Sequence, residues 1–294
     1  MDKIVTIYKD IGETPLSALE RFRKNMVKKY QDSGREKDTI YWRNVPMTYA
    51  GRLDPAAEGL LLILIGEECK NKEKYLGLDK EYEMEVIFGI NTDTHDALGL
   101  ATTDKDLQTG KLNSVDIQNY LKKINTDKYL GIFMQKYPPY SSKTVNGKQL
   151  HTLARTNDLP DAMPEKEVEI YSIEKICENE NQNKSETDPE TAGYVEISAE
   201  KLLGRIKSIV KLVKGDFRQD QILERWQEIF GSSGGKDTIY PSGRPFYSIK
   251  YKVRCSSGTY MRSLADNMGH DLGVGAFAMS IKRTTLGNYK IPTK

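Results

Sequence analysis

One carboxylate stands just ahead of a run of six aliphatic residues: in the stretch 48–66, TYAGRLDPAAEGLLLILIG, Asp54 precedes the apolar residues 60–65. A carboxylate beside a buried strand tends to take up a proton unless a cation lies close. Asp54 is therefore either the punctuation of a turn or a reactive group at the edge of a core. The Asp54-Pro55 pair taken alone fits the turn, with Asp as cap and Pro at a first helical position. Three further segments carry reactive residue types. Residues 80–99, KEYEMEVIFGINTDTHDALG, run from a strand into a turn dense in Asp and Thr. Residues 135–155, QKYPPYSSKTVNGKQLHTLAR, are basic, aromatic and rich in proline, and residues 255–276 set Arg262 near the start of a helix that follows Gly258.

The elements that must position these groups are legible in outline. Residues 4–8 read as a strand, and Thr14 caps a helix with Pro15 at its first position and Leu16, Leu19, Phe22, Met26 and Tyr30 at helical spacing. Residues 31–39 read as a polar loop. The 60–65 run, bounded by Gly59 and Gly66, reads as a central strand, and 67–77 as a helix. In 81–89, Tyr82, Met84, Val86 and Phe88 alternate with Glu81, Glu83 and Glu85. Helices are expected at 114–125, 199–213, 219–230 and 258–269, and strands at 129–135, 246–255 and 276–283. The acidic stretch 178–192 and residues 231–237 read as loops. Strands and helices without a strict βαβ rhythm point to an α+β fold around a large mixed or antiparallel sheet flanked by helices.

Bulk composition narrows the function classes. No apolar run approaches the roughly 20 residues of a membrane span, and the N-terminus lacks the apolar segment of a signal peptide. Cys69, Cys177 and Cys255 are odd in number and far apart, forming neither a disulfide framework nor a metal knuckle. A cytoplasmic protein is expected. The net charge is only +2, but it is segregated: residues 241–294 carry nine Lys/Arg against Asp266 and Asp271, while residues 158–201 carry thirteen Asp/Glu against four Lys. Such segregation suits a polyanion on one face, or ordinary solvated faces beside an acidic loop.

With all four segments together, the chain resembles the TruB-type pseudouridine synthases. The G-x-L-D-P motif is matched by residues 51–55 with Gly59 after it, K-x-Y by 80–82, T-D-T-x-D-x-x-G by 92–99, Q-x-x-P-P-x-S-x-K by 135–143, and G-T-Y-hydrophobic-R by 258–262. The resemblance implies the pseudouridine synthase catalytic fold with an RNA-gripping loop, and isomerisation of uridine to pseudouridine in RNA without cofactor or metal. It implies that Asp54 is the catalytic carboxylate at the ribose, that Arg262 holds it ionised, and that Tyr82 stacks on the uracil, with Ile281 on the base's other side. Lys80, Tyr137, Tyr140 and Lys143 are expected to meet the RNA, along with Tyr49 and Arg52. These last two depart from the pattern: Tyr49 stands where the tRNA-specific enzymes carry a His, and G-R-L-D is closer to the ribosomal-RNA enzymes. The T-loop uridine at position 55 of tRNA is the expected target, with another RNA, or an RNA-folding role with secondary catalysis, as alternatives. A single catalytic domain over 1–294, expanded near 31–47 and 178–237, acting as a monomer without an appended PUA domain, completes the expectation.

Overall fold

The computed structural model describes residues 3–102, 114–122, 124–176, 194–231 and 245–292. Its centre is a ten-stranded sheet in the order β1-β3-β13-β4-β12-β10-β7, with β2 on β3, β11 on β12 and β14 on β13. In chain order the strands are β1 (Ile4–Lys9), β2 (Met47–Ala50), β3 (Glu58–Ile65), β4 (Lys80–Phe88), β5 (Asn91–Thr92), β6 (Ala101–Thr102) and β7 (Gly131–Lys136). They continue with β8 (Thr144–Val145), β9 (Lys148–Gln149), β10 (Glu165–Lys175), β11 (Val195–Ile197), β12 (Phe246–Cys255), β13 (Ala276–Leu286) and β14 (Tyr289–Lys290). The helices are α1 (Pro15–Asp32), α2 (Glu36–Asn44), α3 (Lys72–Leu76), α4 (Ser114–Lys122), α5 (Leu150–Arg155), α6 (Ala199–Leu212), α7 (Gln219–Phe230) and α8 (Met261–Leu272). Every pairing within the large sheet is antiparallel except β13 with β3, so the sheet is mixed. No described helix is long and apolar enough to cross a membrane.

The sheet is covered on both faces, and its alternation shows how. Tyr82, Met84, Val86 and Phe88 of β4 and Tyr247, Ile249, Tyr251, Val253 and Cys255 of β12 share one cluster, against which α8 lays Met261, Leu264, Ala265 and Met268. On the opposite face, Ile87 and Phe277 pack under Ile206 of α6 and Trp226 of α7. β3 is buried on both sides: Leu61, Ile63 and Ile65 face α1, while Leu60, Leu62 and Leu64 face Tyr75 and Leu286. This double burial is why 60–65 is a continuous aliphatic run rather than an alternating one.

Local chemistry sets the element ends. Thr14 accepts from the Ser17 amide and Ser17 Oγ from the Thr14 amide, a reciprocal cap with Pro15 at the first helical position. Four expectations differ from the structure. Part of 31–39 is helical, because α2 starts at Glu36 and buries Trp42 between Phe22 and Tyr30. The helix expected over 67–77 is split into a tight 3₁₀ segment, Gly66–Asn71, and α3. Strand β10, which alternates weakly and carries much charge, was not anticipated at all. Glu85, on the polar face of β4, is buried: α6 covers it, and Arg205 donates to it at 2.7 and 2.5 Å while Ser248 adds a third bond at 2.6 Å. Burial alone would raise the Glu85 pKa, but these donors bring it below the ordinary value. Residues 178–192 lie outside the described residues.

Gly59 joins the fold to the site. Its φ is +109°, and a Cβ there would collide with the backbone of Arg283, where β3 and β13 run side by side. Gly59→Ala should therefore destabilise the chain by about 2 kcal/mol or more, read as a lower urea midpoint; an unchanged midpoint would contradict this close approach.

Candidate active site

The turn that carries Asp54 is built by backbone geometry and locked by two buried cations. Gly51 takes φ +79°, which turns the chain out of β2. The Ala57 amide then bonds to Asp54 O at 3.0 Å and the Gly12 amide to Pro55 O at 2.8 Å. Arg283, fully buried on β13, spreads its guanidinium over this turn: Nε donates to Leu60 O at 2.8 Å, Nη1 to Arg52 O and Nη2 to Gly51 O at 3.3 Å each. From the other side, the ammonium of buried Lys9 donates to Ala57 O at 2.5 Å. Every one of these bonds is made to main chain, so the Asp54 carboxylate stays free to face the cavity and is 40% exposed.

Arg262, the second residue of α8, meets that carboxylate. Its Nε lies 2.8 Å from Asp54 Oδ2 and 3.7 Å from Asp96 Oδ2. The Nε hydrogen does not aim along either line, so charge rather than a linear hydrogen bond holds the pair. The two Nη groups carry the directional bonds, to Thr94 O at 2.9 Å and Tyr140 O at 3.2 Å. Asp96 is buried and accepts from Thr94 Oγ1 at 2.6 Å and the Leu98 amide at 2.9 Å. Burial pushes its pKa up, against the pull of Arg262 and these donors. The guanidinium is thus a fully buried cation whose nearest counter-charge is Asp54.

Above the pair opens a cavity of about 1000 Å³, lined among others by Tyr82, Ile281, Tyr260, Tyr140 and Arg218, with Tyr49, Arg52 and Leu16 also on its wall. Tyr82 is nearly buried at the start of β4, and burial raises its phenol pKa above the ordinary value. Burial likewise pushes Tyr260 up to about 12. Tyr260 is fixed from the end of β7, since Gln135 Oε1 accepts from its amide and Gln135 Nε2 donates to its carbonyl.

Eight of the ten residues singled out in the sequence line this cavity: Asp54, Tyr82, Arg262, Tyr49, Arg52, Lys80, Tyr140 and Ile281. Two do not. Tyr137 stands edge-on to Tyr260, with Lys143 Nζ 5.3 Å from its ring centre, and neither lines the cavity, although Lys143 is exposed. Lys80 reaches the wall, but its ammonium is spent on the carbonyls of Leu76 and Leu78, and burial lowers its pKa to about 8. Sequence reasoning missed Lys9, Asp96, Arg283 and Arg218. Asp96 is the second Asp of the quoted 92–99 motif and was open to notice; the other three lie outside the matched segments. Among the described residues, no three His, Cys, Asp or Glu side chains gather as a metal ion would require.

The model of the TruB family pseudouridylate synthases (N terminal domain) matches residues 42–195, more than half of the chain. The chain belongs to the TruB family. Similar curated proteins include the tRNA pseudouridine synthase B of Aquifex aeolicus, 29% identical over 66% of this chain and 60% of the relative. That of Lactobacillus johnsonii is 28% identical over 83% and 60%, and the tRNA pseudouridine synthase 4 of Saccharomyces cerevisiae 27% identical over 81% and 60%. The alignments span about three fifths of the length of these relatives. Within the family match fall Asp54, Tyr82, Asp96 and Tyr140; Arg262 lies beyond it, on α8.

Lys9 yields a pH test. Burial lowers its pKa to about 8 despite Glu13, Asp54 and Glu58 nearby, whereas an unfolded lysine titrates near 10.5. Between those values the unfolded chain binds more protons, so this group makes stability rise with pH. Wild type should gain on Lys9→Met as the pH is raised from 7 to 10, measured by urea unfolding of both; a difference that stays flat with pH would refute the buried ammonium.

Proposed function

We propose that this chain isomerises uridine to pseudouridine in tRNA, with Asp54 as the reacting carboxylate. The observation that carries the reading is the Asp54–Arg262 pair on the wall of a cavity that Tyr82 and Ile281 also line, in a member of this family. The three relatives above are all named as tRNA pseudouridine synthases, which supports tRNA as the substrate class.

The chemistry accounts for each residue type. Breaking the N1–C1′ bond builds positive charge on the ribose, which a carboxylate stabilises or captures. The freed uracil turns, C5 bonds to C1′, and the C5 proton is exchanged for one on N1, so atoms and electrons balance with no co-reactant. Asp54 must face C1′ while keeping its rotamer, and Arg262 provides that by a charged contact to one oxygen, Oδ2, of a side chain that stays 40% exposed. Tyr82 offers its ring to the base. With its pKa raised by burial, its phenol keeps its proton at neutral pH, which makes it a stacking surface and an O–H group rather than a standing base. A base buried among these groups must leave its stack, and a tRNA loop makes that cheapest. That Tyr49 and Arg52 line the same cavity supports a contact with the neighbouring nucleotides.

Incubating the protein with an unmodified tRNA transcript and mapping pseudouridine by position tests this. Conversion of the T-loop uridine at position 55 is expected, with Asp54→Asn slowing single-turnover conversion on the order of a thousandfold and RNA affinity little changed. Conversion at another site only would move the target to a different RNA segment and make Tyr49 and Arg52 the residues responsible. An Asp54→Asn variant as active as wild type would refute the reading.

A further inference from the structure

Arg218 stands in a backbone conformation that a side chain other than glycine seldom takes, φ +60° and ψ 33°, at the entry to α7. Such a residue persists only where its surroundings over-determine it. It lies in the 178–237 expansion and in none of the segments that carry the family motifs, yet it lines the active-site cavity. Its Nη1 lies 2.8 Å from Asp93 Oδ2 and its Nη2 3.3 Å from Asp93 Oδ1, a two-pronged pair. The face of the same guanidinium covers the Tyr140 ring at 4.5 Å, and Tyr140 Oη donates to Asp93 Oδ2 at 3.1 Å. The segment just before it is anchored as well, by Arg155 Nη2 donating to Asp216 O at 2.9 Å.

These three side chains tie together the two segments that hold Arg262. The carbonyls that accept from its Nη groups belong to Thr94, next to Asp93, and to Tyr140 itself. We propose that Arg218 is a positioning residue for the Arg262–Asp54 pair: by clamping Asp93 to Tyr140 it sets the spacing of the two carbonyls that aim the Arg262 guanidinium at Asp54. This rests on the reaction proposed above for the same site. The alternative use of a cation in this position, contact with an RNA phosphate, fits less well, because both prongs are occupied by Asp93 and one face by Tyr140.

Arg218→Gly is the sharpest variant, since glycine accepts the left-handed backbone without strain while removing the guanidinium. Arg218→Lys keeps the charge without the fork, and Asp93→Asn reaches the clamp from its other side. With wild type and saturating unmodified tRNA, single-turnover conversion should fall roughly ten- to a hundredfold in Arg218→Gly, as for a reacting group displaced by a fraction of an ångström to an ångström. RNA affinity should change by less than about threefold, Arg218→Lys should fall between, and the Arg218→Gly/Asp93→Asn double variant should be no slower than the worse single one. A full rate at saturation with weaker binding, and a salt slope smaller by about one, would assign Arg218 to phosphate contact and overturn the proposal. So would unchanged rate and affinity. A wild type that converts no uridine would instead fail the reading of the site itself. In that case hydrogen exchange still decides the clamp. The Leu98 and Leu100 amides, bonded to the carboxylates of Asp96 and Asp93, should exchange faster in Arg218→Gly, and unchanged exchange would overturn it.

Discussion

A guanidinium buried between two carboxylates is the constraint on which this structure turns. Placing Arg262 out of water is costly unless its charge is answered. Asp54 and Asp96 answer the charge, and the carbonyls of Thr94 and Tyr140 answer the Nη groups. Four separate stretches of chain must therefore meet at one point: the turn before β3, the turn after β4, the basic loop after β7, and the start of α8. The mixed sheet brings them together: β3, β13, β4 and β12 are neighbours, and residues of all four stretches line one cavity.

The same economy governs the turn that presents Asp54. Its carbonyls would be left unpaired so near the core, and Arg283 and Lys9 supply the donors from β13 and β1. Both cations are themselves buried, so the turn and its clamps are each required by the other. The geometry is specified from below by β1 and β13, which leaves the carboxylate facing the cavity without leaving it loose.

What was legible in the residues follows from range. Local signals were read well: the Thr14 cap with Pro15, the alternation of β4 and β12, the aliphatic run of β3, and the motif order that marks the family. The proximity of Asp54 and Arg262, 208 positions apart in sequence, was an implication of resemblance, and the structure places them 2.8 Å apart. Partnerships without a motif were invisible. Arg283 and Lys9 look like ordinary strand residues until the sheet register puts them over the turn, and Glu85 looks like a solvated glutamate until α6 covers it. Tyr137 shows the converse, since a basic aromatic loop reads as uniformly available although this ring packs edge-on against Tyr260. A sequence pattern reports residue types and spacing along the chain; which face of a loop meets the cavity is decided by tertiary packing.

Arg262→Lys tests the central claim most directly. Lysine keeps the positive charge but cannot serve two carbonyls and a carboxylate in the fixed fork of a guanidinium. With a folded variant and saturating unmodified tRNA, single-turnover formation of pseudouridine should fall on the order of a hundredfold while RNA affinity holds. Turnover at the wild-type rate would mean that charge alone suffices near Asp54, and that the geometry of the buried guanidinium does not set the reactive carboxylate.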